Sequence, residues 1–297
     1  MKRKAMLRTA ALPFHPIPCL SRRRSFHCQR GAMFLKHLYE GGRPCSACPA
    51  GYPPFCRSLV NPKNEHNDPR RLEVAQDFDV IEPHRNIYLR NARTDDIYVM
   101  CDGWAFTFLQ TADGRRQIVS FLVGGDFFAC ELLIEQNSGL SLRTLTKSLF
   151  CRMPRAQVRE QVLKSDETLN IVGKICIANE RAKNDLLLDL GRRNADERVA
   201  HLILTLTERL DRLGTTRDGN YPFPLRQQDI ADATGLTPVH VGRMISKFRE
   251  FGWIELSAGH LRILNRGELV RLGRIELKRA LRQLNPVWRA GSRRPFR

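Results

Sequence analysis

The sequence predicts an α+β chain in three parts: a small antiparallel β-roll, a long helical connector, and a C-terminal helix pair closed by a β-hairpin. Three observations carry that reading. Short segments rich in β-branched and aromatic residues recur between Asp68 and Pro154 at a spacing of roughly ten residues. An apolar stripe at three- and four-residue steps then runs through a region from Arg155 to Leu213. Finally, two short helical patterns joined by a glycine turn precede two apolar segments around Ser257-Ala258-Gly259.

The β segments are Ile87–Leu89, Ile97–Cys101, Ala105–Leu109 and Gln117–Val123, separated by Asp102-Gly103, Ala112-Asp113-Gly114 and Gly124-Gly125-Asp126. Their spacing suits a small antiparallel barrel or roll, a shape that by itself assigns no ligand. In the helical region Ile171, Ile175, Ala178, Ala182, Leu186, Leu187 and Leu190 share one face, and Val199, Leu202, Ile203, Leu206 and Leu210 continue the stripe beyond Gly191. Such a stripe packs on its own domain or pairs with a second copy of the chain. Asn179, Glu180, Lys183 and Asn184 interrupt it with polarity.

In the C-terminal part Leu225–Ala233 reads as a short helix, Thr234-Gly235-Leu236 as a turn and Thr237–Arg249 as a second helix. Ala231 is small enough for a close helix crossing, and Gly235 tolerates the left-handed backbone of the turn. Thr237 suits an N-cap and Pro238 the first helical position. Trp253–Leu256 and Leu261–Leu264 then form a hairpin, the wing. A winged helix-turn-helix presents its second helix to a DNA major groove, so double-stranded DNA is the expected partner.

Charge agrees with a polyanionic partner but does not choose it. The 297 residues hold 49 Lys+Arg and 31 Asp+Glu, a net +18. Residues 1–32 contribute +8 and residues 274–297 contribute +7, which leaves +3 for the body of the chain. No apolar run approaches the ~20 residues of a membrane span, so no membrane partner is expected. The Arg-rich, acid-free start reads as a disordered basic arm or as sequence preceding a start at Met33. Pro13, Pro16 and Pro18 break the apolar core that a secretory leader needs, and the expected location is the cytoplasm.

Nine cysteines, an odd number, suit a disulfide framework poorly. Cys45, Cys48 and Cys56 form a C-x2-C-x7-C cluster in a Gly/Pro-rich segment, and in a reducing compartment such spacing points to a metal or iron–sulfur site. Cys101, Cys130 and Cys176 read as small apolar residues of the interior, and Cys19 and Cys28 are assigned nothing.

Together these pieces resemble the Crp/Fnr family of transcriptional regulators, over about Cys45 to Glu268. The likeness is strongest in Arg193–Ala200 and Leu225–Phe248. The resemblance implies a cyclic-nucleotide-binding-like β-roll, a dimerisation helix, a homodimer on a two-fold symmetric operator, and contact with RNA polymerase. It divides the chain into an extension (1–44), a sensor domain (45–160), a dimerisation region (161–213), a winged helix-turn-helix (214–270) and a basic tail (271–297). The cysteines resemble the FNR-like branch of FnrN/FnrL type. There, three N-terminal cysteines and one in a Cys-x-x-Pro segment hold an oxygen-labile 4Fe–4S cluster. By that resemblance Cys45, Cys48 and Cys56 supply the trio, and Cys151 in Cys151-Arg152-Met153-Pro154 the fourth ligand. Four thiolates also suit structural zinc, and a vestigial motif is the third reading.

Cyclic AMP is argued against. Relatives that bind it use Gly-Glu and Arg-Ser pairs, whereas this chain has Gly125-Asp126 and a displaced Arg143. On the recognition helix Val239 and Gly242 stand where the FNR-like pattern has Glu and Ser, and Arg243 is kept for guanine. Thr237, Val239 and His240 complete the expected DNA face, and Lys247 is expected on the phosphate backbone. No Gly-rich nucleotide loop, hydrolase His pair or nucleophile elbow is present, so no enzyme is expected.

Overall fold

The computed structural model describes residues 53–59, 74–128, 130–214, 216 and 219–273. The basic arm, Cys45, Cys48 and the tail from 274 lie outside the described residues. A short helix, α1 (Pro54–Ser58), precedes seven strands: β1 (Asp77–Ile81), β2 (Asn86–Tyr88), β3 (Asp96–Asp102), β4 (Ala105–Gln110), β5 (Arg116–Leu122), β6 (Ser141–Thr144) and β7 (Ser148–Pro154). A 3-10 turn, Cys130–Leu133, sits between β5 and β6.

The strands form two antiparallel sheets, β1-β7-β3 and β2-β6-β4-β5. Met100 and Phe150 of the first sheet pack against Ala105, Leu122 and Leu142 of the second to make the roll interior. Side chains alternate along a strand, so their neighbours point outward on both sides. On the second sheet the outward residues Phe106, Phe108 and Phe121 join the core of the C-terminal domain. The roll is therefore welded to the helical part through one sheet face. Strands β1, β6 and β7 add to the four segments expected from sequence.

The helical region is three helices rather than one: α2 (Arg155–Lys164), α3 (Asp166–Arg192) and α4 (Ala195–Arg212). Each break has a local cause. Ser165 is extended at φ −128° and its hydroxyl accepts from the Thr168 amide, which starts α3. At the second break Asn194 and Glu197 form a reciprocal capping box, with both hydrogen bonds at 3.0 Å. The caps also divide the apolar stripe. Val199, Ala200, Ile203, Leu206 and Leu210 of α4 are core residues of the C-terminal domain, whereas Ile177, Leu187 and Leu188 of α3 are exposed.

The C-terminal domain continues with β8 (Asn220–Pro222), α5 (Gln227–Thr234), α6 (Pro238–Glu250), β9 (Ile254–Ser257), β10 (His260–Ile263) and α7 (Arg266–Gly273). The wing is a three-stranded sheet in the order β8-β10-β9, one strand more than expected. Between α5 and α6, Gly235 adopts φ +66°, and the Thr237 side chain accepts from the His240 amide at 3.2 Å. A Cβ at Gly235 would meet the Leu190 Cδ2 methyl at 2.9 Å, a contact that a side-chain rotation relieves. Gly235→Ala is therefore expected to lose about 1–2 kcal/mol, the cost of a left-handed backbone in an L-residue. Denaturant unfolding of the full chain measures it.

Candidate nucleic-acid interface and sensor sites

Helix α6 divides cleanly. Val241, Ile245 and Phe248 are buried, and Phe248 packs on Trp253 beside the wing. Thr237, Val239, His240 and Arg243 are all exposed on the first two turns. Positions three and four apart on a helix lie on one side, so Val239, His240 and Arg243 present a common surface. Gly242 lies at the edge of that surface, where a Cβ would come within 3.2 Å of the Gln227 side chain at the start of α5.

Lys247 is arranged differently from the phosphate contact expected of it. Its ammonium pairs with Asp196 in the first turn of α4, and its side chain is 43 % exposed. An acidic residue at a helix N-terminus is favoured by the helix dipole, so Asp196 is well placed to hold the lysine. Among the expected DNA residues, Lys247 stands apart from the other four. Arg249 and Ser246 remain exposed on α6.

The helix-turn-helix is also tied to the roll. Arg116 at the start of β5 donates from Nε to Asp232 at 2.7 Å, and its Nη2 lies 3.4 Å from Asp229, both on α5. The guanidinium sits 4.7 Å above the Phe106 ring. Beside it, Gln117 donates to the Ala233 carbonyl at 3.2 Å. A second link joins Arg209 of α4 to Asp126, whose carboxylate also accepts from the Val123 amide. Nothing in the sequence marks Arg116, because its partners are more than a hundred residues away.

Two of the four proposed cluster cysteines fall within the described residues. Cys151 lies in the centre of β7, opposite Val99 on β3 and Phe78 on β1, with no exposure. Because Phe150 faces the roll interior, Cys151 faces the opposite side of that sheet. Val99 bridges to Phe127, the Phe127 ring stacks on Phe55 at 4.2 Å, and Phe55 adjoins Cys56. Cys56 itself is 2 % exposed. Its helix α1 is anchored to α3, since Thr168 Oγ1 donates to the Ser58 carbonyl at 2.8 Å. Among the described residues no group of three or more His, Cys, Asp or Glu is arranged as a metal site, with Cys45 and Cys48 outside that set.

A cavity of about 590 Å³ opens between the roll and helices α3 and α4. Asp126 and Arg209 line it, together with Cys130 and Cys176, which are half-buried rather than sealed in the interior as the sequence suggested. Arg143 does not line it. Its neighbour Leu142 faces the roll interior, and Arg143 donates outward to the His84 carbonyl at 3.2 Å. Among the described residues no helix is long and apolar enough to cross a membrane.

A β-roll joined by capped helices to a winged helix-turn-helix with an exposed recognition face defines a DNA-binding regulator. The comparisons with known proteins agree. Residues 79–165 match the cyclic nucleotide-binding domain model, and residues 197–272 match the Crp-like helix-turn-helix domain model. The nitrogen fixation regulation protein FixK of Bradyrhizobium diazoefficiens is 31 % identical over 172 residues, 58 % of this chain and 71 % of the relative. The fumarate and nitrate reduction regulatory protein of Escherichia coli K12 is 20 % identical over 209 residues, 70 % of this chain and 83 % of that one. The solved structure of FixK2 from Bradyrhizobium japonicum superposes with a TM-score of 0.62 at 24 % identity, covering 67 % of this chain and 97 % of that chain. The chain belongs to the Crp/Fnr family and is a DNA-binding transcriptional regulator of that type.

Proposed function

We propose that the chain is an oxygen- or redox-responsive regulator that reads a two-fold symmetric operator as a homodimer and acts on RNA polymerase. Cys45, Cys48, Cys56 and Cys151 would hold a 4Fe–4S cluster. The observation that supports this most is the placement of Cys151. It is sealed on the outer face of β1-β7-β3, and its path to Cys56 runs through Val99, Phe127 and Phe55. Both described thiols thus suit a thiolate-ligated group in chemistry and in their water-poor surroundings. When bound, such a cluster supplies oxygen-labile redox chemistry.

The protein's own residues carry the consequence. Helix α1 holds Cys56 and is fastened to the first turn of α3 through Thr168. A displacement of α1 therefore reaches the helix whose Leu169, Ile177 and Leu187 side chains are exposed and suited to pairing with a second copy. At the other end of the chain, Arg243 would donate to guanine O6 and N7, with His240 and Val239 beside it and Thr237 near a phosphate. Cyclic AMP is disfavoured because Arg143 faces away from the cavity, which leaves the ligand phosphate without that partner.

The cavity favours a second reading, a regulator without a cluster that binds another small molecule between roll and helices. The two readings separate on Cys151→Ser. Duplexes are first selected from a random pool by anaerobic protein. The wild type is expected to bind them about tenfold or more tightly before exposure to air than after. Cys151→Ser kept anaerobic should match the aerated wild type. An air response retained in Cys151→Ser would favour the cavity.

A further inference from the structure

We propose that Cys130 and Cys176 form a peroxide-oxidisable thiol pair, closing to a disulfide that staples the 3-10 turn of the roll to the middle of helix α3. Cys130 opens that turn, and the Asn179 side-chain amide, one turn along α3 from Cys176, reaches the Cys130 sulfur at 3.9 Å. Cys176 and Asn179 are three apart on the helix and face the same way. The two thiols therefore share the seam between the 3-10 turn and α3. Both line the cavity and are half-buried, so a small oxidant reaches them while neighbouring chains do not easily compete.

The pair is also electronically unequal. The hydrogen bond from Cys130 lowers the Cys176 thiol below its ordinary range, and Lys183 helps, against desolvation and Glu131. Cys130 is pushed up, first by that same hydrogen bond and then by burial, Cys176 and Glu131. The lowered thiol favours Cys176 as the attacking thiolate, with Cys130 resolving. With hydrogen peroxide as oxidant, the Cys176 sulfur attacks one peroxide oxygen and the O–O bond breaks. Hydroxide leaves and takes up a proton as water, giving a sulfenic acid. The Cys130 sulfur then attacks the sulfenic sulfur. The S–O bond breaks, the oxygen departs with the Cys130 proton as a second water, and the S–S bond forms. Two thiols are oxidised by two electrons and one peroxide is reduced.

This pair shares no residue with the proposed cluster ligands, and its test is independent of them. Trypsin places the two cysteines in separate peptides, 117–143 and 175–181, each with a single cysteine. Full-length protein is reduced with dithiothreitol, desalted, treated with hydrogen peroxide, alkylated and digested. The expected product is one cross-linked species of these two peptides, lighter by two hydrogens than their sum and released by dithiothreitol. On a non-reducing gel it should not form a covalent dimer through either cysteine. In Cys130→Ser, dimedone should label Cys176, left without its resolving partner, as sulfenic acid. Recovery of both wild-type peptides alkylated after peroxide, or a Cys176–Cys176 cross-link between chains, would overturn the proposal. Because the wild-type map decides it, failure of a serine variant to fold would not rescue the idea.

Discussion

Replacing Arg243 with alanine is expected to weaken binding to the selected operator by about thirtyfold or more. A bidentate arginine–guanine contact contributes roughly 1–3 kcal/mol of discrimination, and a homodimer makes it twice, so about 2–6 kcal/mol is at stake. The residue is exposed on the second turn of α6, clear of the buried face formed by Val241, Ile245 and Phe248. Its loss should therefore leave folding unchanged. Affinity for unrelated duplexes should fall much less, because contacts to phosphate carry no sequence information. Fluorescence anisotropy on both duplexes measures the difference. An equal loss on both would mean that Arg243 touches backbone and not a base.

Arg116→Met is expected to cost about 3 kcal/mol of stability. The substitution keeps much of the side-chain volume beside Phe106 and Phe108 but strands Asp232 and Asp229, whose side chains are 12 % and 11 % exposed. Removing one partner of a largely buried ion pair leaves an uncompensated charge, which is why the loss exceeds that of a surface pair, where the median is about 0–1 kcal/mol. Each carboxylate keeps one neutral donor, Asp229 the Arg226 amide at 3.0 Å and Asp232 the Gln228 side-chain amide at 2.6 Å, so the loss is the uncompensated charge and not a bare carboxylate. Arg116→Lys should recover only part, because an ammonium lacks the planar fork that reaches both carboxylates. Denaturant unfolding gives the stability loss. A second readout is the DNA affinity, since the same residues clamp α5 of the helix-turn-helix to the roll. A loss under about 1 kcal/mol would show the clamp to be water-screened.

The two ends of the fold differed in how much their sequence disclosed. The helix-turn-helix was legible nearly residue by residue, because each position answers to a local rule: Gly235 for the left-handed turn, Thr237 for the cap, Pro238 for the first turn. The four segments that became β2, β3, β4 and β5 were also legible from their composition. Strands β1, β6 and β7 were not. Asp77–Ile81 carries two aspartates and Ser141–Thr144 is a four-residue strand, so neither announces itself before pairing with β7 and β4. The break between α3 and α4 left a signal that a continuous apolar stripe obscured. Asn194 followed by Glu197 is a capping pair, and it marks where the stripe changes from an exposed helix to the core of the DNA-binding domain.

The sites divide in the same way. Thr237, Val239, His240 and Arg243 were picked out by the family resemblance together with helical spacing, but the pairing of Lys247 with Asp196 depends on how α6 packs on α4. Likewise Arg116 with Asp232, and Cys130 with Cys176, are tertiary neighbours with no local signature. Cys151 could be singled out by its Cys-x-x-Pro setting. Its direction, away from the roll interior and toward the side that holds Cys56, emerged only from the alternation with Phe150 along β7.

Whether those cysteines hold a cluster is tested most directly by one measurement. Full-length protein purified without oxygen is analysed for iron and acid-labile sulfide while its visible spectrum is followed on admission of air. Four cysteine ligands and a 4Fe–4S cluster predict about four iron and four sulfide per chain, a brown solution, and absorbance that bleaches in air. A colourless anaerobic protein without iron, or one that carries zinc in its place, would contradict it.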